Sequence, residues 1–152
     1  MRKSKYKSKI IKQRKARLFR ELEKVLDEGQ QALALEKIKQ RDEVAQLVKV
    51  SPDYADLNHF CLEIMSLYES FSFNSVAFDA ENKRLLYTFD SAADWSRVKE
   101  FYTDWFSKQG CKIIDASDEL PKTDKIAVKT DNYKIVLCDD ILGVYLLIGE
   151  II

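Results

Sequence analysis

The sequence predicts an α+β protein: N-terminal helices followed by an antiparallel sheet of ββαβββ order, with one helix packed across a face. Three observations predict it. The first fifty residues hold no proline and repeat apolar side chains at helical spacing. After Ser70 the text changes to short alternating runs, and one well-signalled helix stands among them.

From about Ser4 to Val50, the residues Ile11, Leu18, Leu22, Val25 and Ala32 return at spacings of three, four or seven, which is one face of a helix. Gly29 interrupts that stripe and predicts the end of one helix, with the next beginning near Gln30 and carrying Leu35, Ile38, Leu47 and Val48. "SPD" at 51–53 then opens a helix over roughly 52–70, with Ser51 as N-cap and Pro52 in its first turn. Its apolar face holds Tyr54, Leu57, Phe60, Cys61, Ile64, Leu67 and Tyr68.

"SVAFD" and "RLLYTFD" flank "AENK" and read as a β-hairpin, with Leu85, Tyr87 and Phe89 on one face. The helix 91–109 follows, with Ser91 and Asp94 as a capping pair and Gly110 as its stop. "CKIID", "KIAVKT" and "YKIVLCD" read as strands. An Asp131-Asn132 turn sets Val128 opposite Ile135 and Ile126 opposite Leu137. "GVYLLIGEII" is continuously apolar, the pattern of a strand that is central or covered on both faces. The organisation expected is a helical arm over 1–50 and an α+β domain over 51–152, with a leading helix 52–70 and a sheet domain 74–152.

The net charge is zero, yet it is unevenly placed. Residues 1–20 hold ten lysines and arginines and no acid, residues 21–50 sum to −2, and residues 51–152 to −8. Such an arm fits an acidic surface: an acidic protein, an anionic membrane or nucleic acid. The cations expected to carry partner binding are Lys3, Lys5, Lys7, Lys9, Lys12, Arg14, Lys15 and Arg17. A helix over 4–50 also offers a self-association surface, which a break at Gly29 would weaken.

No run of about eighteen apolar residues is present, and the basic start lacks the apolar stretch of a signal peptide. The three cysteines, Cys61, Cys111 and Cys138, show no CxxC spacing and fit a reducing compartment with buried thiols. The chain as given therefore reads as cytoplasmic, with an extracytoplasmic, anchored protein as the alternative if an anchor precedes Met1.

Catalytic signals are weak. His59 is the only histidine, its neighbours Cys61 and Glu63 make no ligand set, and it reads as a structural residue without a metal. Asp139-Asp140 offers too few oxygens for calcium and reads as a solvated turn. Trp95, Val98, Tyr102, Trp105 and Phe106 share one stripe of helix 91–109, and burial of that stripe as core outweighs its use as a stacking platform. No phosphate-binding glycine loop, HExxH or GxSxG occurs, and no cofactor is expected.

The stretch "VKEFYTDWFSKQGC", Val98 to Cys111, preceded by "LLYTFDSAAD", resembles a small domain of bacterial envelope proteins and lipoproteins. There a strand pair leads to a helix of V-x-x-F-Y pattern and then to further strands. The resemblance covers residues 74–150, carries Cys111 where the pattern usually has tryptophan, and implies the ββαβββ fold and no catalytic residues. The function expected is a non-enzymatic interaction or structural module whose basic arm docks on an acidic partner or anionic membrane. The alternative is a small ligand-binding or hydrolytic domain with a pocket between helix 91–109 and the sheet.

Overall fold

The computed structural model describes residues 2–68, 71–115, 123–139 and 144–152, with side chains described from residue 12 onward. Helix α1 runs from Arg2 to Val50 without a break. The interruption expected at Gly29 does not occur. A mid-helix glycine costs about 1 kcal/mol relative to alanine, and the glutamate, glutamines, alanine and leucine around Gly29 are good helix formers that offset it. By contacts the chain forms two compact units, Met1–Ile38 and Lys39–Ile152. The second unit includes the last turns of α1, which bury Val44 and set Leu47 and Val48 against its core.

Helix α2 spans Pro52–Ser66, and the Ser51 hydroxyl caps it by accepting from the Tyr54 amide at 3.5 Å. It ends before the expected residue 70, because the Leu67 amide turns back to the Ile64 carbonyl at 3.4 Å and tightens the last turn. Helix α3 spans Trp95–Lys108. Its N-cap is Asp94, which accepts from the Arg97 amide at 3.1 Å, and not Ser91 of the expected pair. Ser91 serves the turn before it, accepting from the Ala93 amide at 3.4 Å. Gly110, at φ 79°, ends the helix in the left-handed conformation that glycine adopts without steric cost.

Among the described residues, six strands form one antiparallel sheet: β1 Ser72–Asp79, β2 Arg84–Asp90, β3 Lys112–Ile113, β4 Lys125–Lys129, β5 Tyr133–Asp139 and β6 Tyr145–Ile151. Their order is β1-β2-β6-β5-β4-β3. The strand read in "CKIID" is the two-residue β3 on the edge, and counting it the order is ββαββββ. The expected hairpin register holds, with Val128 opposite Ile135 and Ile126 opposite Leu137. The apolar C-terminal strand is central: β6 pairs with β2 on one side and β5 on the other.

The alternation along each strand sorts the sheet into two faces. Leu85, Tyr87, Phe89, Ile135, Leu137 and Leu147 bury on the face that meets α2 and α3. Ala127, Val136 and Ile148 form a smaller cluster on the other. Helix α2 comes close to β6 because Gly149 has no side chain: a Cβ there would lie 2.7 Å from Cys61 Sγ and 2.9 Å from Leu57 Cδ1. Buried hydroxyls are satisfied across elements. Tyr102 donates to the Ile64 carbonyl at 2.5 Å, tying α3 to α2, and Tyr87 donates to Asn58 Oδ1 at 2.6 Å, tying β2 to α2.

The aromatic stripe of α3 is core, but only in part. Val98, Tyr102 and Phe106 are fully buried, whereas Trp95 and Trp105 are half-buried at its margins. A stripe this wide cannot be covered to both edges by one sheet face. Phe106→Ala should therefore cost about 3–5 kcal/mol and Trp105→Ala clearly less, read from chemical denaturation of the two variants side by side. Equal losses would show that Trp105 is as buried as Phe106. Gly149→Ala should cost about 1–3 kcal/mol, because the added methyl has to displace Cys61 and Leu57 from a filled site. A neutral effect would show that α2 stands off from β6.

Candidate interaction surface

The basic arm lies in α1, so its cations are set by helical geometry. Lys12, Arg14, Lys15 and Arg17 are all exposed. The side chains of Lys3, Lys5, Lys7 and Lys9 lie outside the described residues. At about 100° per residue, the four described cations point to different sides of the helix and make a collar of positive charge. Among the described residues, only Arg17 of these four has an acidic partner, Glu21, with Nε and Oε1 3.5 Å apart. That pair is exposed on both sides and contributes little to stability, so the collar's charge stays available.

A second feature adjoins the collar. Every described side chain from 12 to 39 is exposed, including the large apolar ones: Leu18, Phe19, Leu22, Val25, Leu26 and Leu33 are between 56% and 66% accessible. The spacing in the sequence marks these as a helical stripe.

The other candidate residues stand apart from one another. His59 is exposed on α2. Among the described residues no group of three or more His, Cys, Asp or Glu is placed to hold a metal ion, and Asp140 of the acidic turn lies outside them. The interval between α3 and the sheet is occupied by Val98, Tyr102 and Phe106. At the exposed margin of α3, Asp124 accepts from Trp95 Nε1 at 2.8 Å and from Lys99 Nζ at 2.9 Å. Those bonds, Trp95 first, hold its carboxyl below the usual range, and they fasten α3 to the start of β4. None of the helices among the described residues is long and apolar enough to cross a membrane.

None of the three cysteines is in a disulfide; Cys61 and Cys138 are buried and Cys111 partly so. Burial pushes the Cys61 thiol up to about 12, outweighing the opposing hydrogen bond with Tyr87. Burial likewise raises the Tyr87 and Tyr102 hydroxyls. A thiol held neutral in this way is a poor nucleophile.

The sign of the pH effect follows. An unfolded thiol ionises near 9.0 and the folded Cys61 near 12, so the unfolded state binds fewer protons between those values. Stability should be intact below pH 9 and fall by up to about 1.4 kcal/mol per pH unit above it for this one group, before the tyrosines add to the slope. Urea unfolding followed across this range, with Cys61→Ala for comparison, should show a flatter decline in the variant. An unchanged slope would mean that the thiol is not shielded from water.

The chain matches no family model, and no curated protein and no solved structure is significantly similar to it.

Proposed function

We propose that the chain is a non-enzymatic interaction module whose basic N-terminal arm docks on an anionic membrane surface. One observation carries this reading: Lys12, Arg14, Lys15 and Arg17 form an exposed collar on a continuous helix, within a twenty-residue stretch that contains ten cations and no acid. A cation near an anionic bilayer gains about 1 kcal/mol, so a handful of them acting together gives a usable affinity without a shaped pocket. Tyr6, Ile10 and Ile11 interleave with the lysines in sequence, and a lipid headgroup layer accepts such mixed side chains better than a phosphate backbone does. Because the cations surround the helix, several share the binding and no single one dominates.

The test is co-sedimentation of the full chain with vesicles of phosphatidylserine and phosphatidylcholine, against phosphatidylcholine alone. Binding should require the anionic lipid and weaken steeply with salt, since exposed charges are screened beyond about 8 Å at physiological ionic strength. Replacing Lys12, Arg14 and Lys15 together by glutamine should weaken it by about 3 kcal/mol, roughly a hundredfold. Binding to neutral vesicles that ignores both salt and the substitutions would overturn the electrostatic account. Retention on RNA but not on vesicles would reassign the arm to nucleic acid.

A further inference from the structure

One row of charged side chains crosses the whole sheet on the face away from α2 and α3. Residues directly opposite in neighbouring strands share a face. The register sets Asp79, Arg84, Glu150, Lys134, Lys129 and Lys112 side by side from β1 to β3. Lys129, Lys134 and Glu150 stand two residues along their strands from Ala127, Val136 and Ile148, the small cluster on that face. The charges read − + − + + +. The first four alternate, and Arg84 Nε lies 3.7 Å from Glu150 Oε1.

At Lys129 the alternation stops. The Thr130 amide donates to the Tyr133 carbonyl at 2.8 Å, which makes 130 and 133 a hydrogen-bonded pair. Lys129 and Lys134 beside them are then a non-hydrogen-bonded pair. Side chains stand closest in pairs of that kind, and like charges directly opposite oppose folding. Lys112 repeats the repulsion from the other side of Lys129. Among the described residues, neither Lys112 nor Lys129 is in an ion pair, and both are exposed. Protection of a sheet edge accounts for a lysine on β3. It does not account for Lys129 and Lys134, whose strands are paired on both sides.

We infer that this end of the row binds a small phosphate monoester. The row holds four cations against two acids, a surplus of +2. A phosphate monoester carries about −1.5 to −2 at pH 7, so one such group over Lys112 and Lys129 balances it. Lysine holds phosphate as a point charge, without the fixed fork of arginine. The same two lysines line a concavity of about 600 Å³, together with Gln109, Thr130 and Asp131. That volume is in the range of small-molecule sites. Gln109 and Asp131 offer an amide and a carboxylate to hydroxyls on the esterified part, and Asp131 disfavours a second anionic group. The site uses residues of the sheet and none of the collar on α1, so it stands or falls apart from the docking of the arm.

Equilibrium unfolding of the full chain tests it, followed by the fluorescence of Trp95 and Trp105 in sodium phosphate, glycerol 3-phosphate, and sodium chloride of equal ionic strength. Phosphate salts also stabilise proteins by exclusion from their surface, an effect that every variant keeps and that does not saturate. The site adds a saturable rise in the unfolding midpoint. Lys129→Glu makes the row alternate throughout, so it should raise the midpoint in chloride and abolish the saturable rise in both phosphates. Lys129→Gln should weaken binding by about tenfold. Replacing Lys12, Arg14 and Lys15 by glutamine should leave it unchanged. No saturable rise in the parent, or a rise that survives Lys129→Glu, would overturn the site. A lower chloride midpoint in Lys129→Glu would overturn the repulsion it rests on. A response to inorganic phosphate without one to glycerol 3-phosphate would overturn the monoester assignment.

Discussion

The sheet depends on its last strand. β1 and β2 form one half and β3, β4 and β5 the other, and β6 alone joins them, pairing with β2 through Leu85–Gly149 and with β5 through Ile135–Gly149. Until the C-terminal strand is in place, neither half has the neighbour it needs, and α2 has no surface to bury Leu57 and Cys61 against. Gly149 fixes the register as well as the spacing. A slip of one residue would turn it away from α2 and drive a larger side chain into the space between helix and sheet. The apolar reading of "YLLIGEI" and the close approach of α2 are thus two sides of one constraint.

Helix α1 divides between two roles. Its last turns belong to this core through Val44, Leu47 and Val48. Its earlier turns carry a collar of cations and then a stripe of exposed leucines and valines. The collar is positive on all sides, and the proposed docking to a diffuse negative surface rests on that distribution of charge.

Much of this was legible in the sequence, for identifiable reasons. Two-residue alternation marked β2, short apolar runs marked β4 and β5, and the polar turn at Asp131-Asn132 set the register of their hairpin. The continuous apolar run after Gly143 read as a strand that is central or covered on both faces, and β6 is central. Where the reading failed, a local rule lost to a larger context. Gly29 signalled a break, but its cost of about 1 kcal/mol is small beside the propensity of a long helix. Ser91 matched a capping pattern three residues too early, because Asp94 has the extended backbone, φ −75° and ψ 163°, that a cap requires. Trp105 lay on the apolar stripe of α3, yet periodicity gives a direction and not a depth of burial. In α1 the apolar spacing was plain, but periodicity alone does not say how exposed its leucines are.

The central claim is that β6 joins the two halves of the sheet into one unit. Native-state hydrogen exchange tests it most directly: the amides of β2, β5 and β6 should exchange through one shared opening of the same free energy, because each half loses its neighbour when β6 leaves. A β2 that opens while β5 and β6 stay protected would contradict the claim.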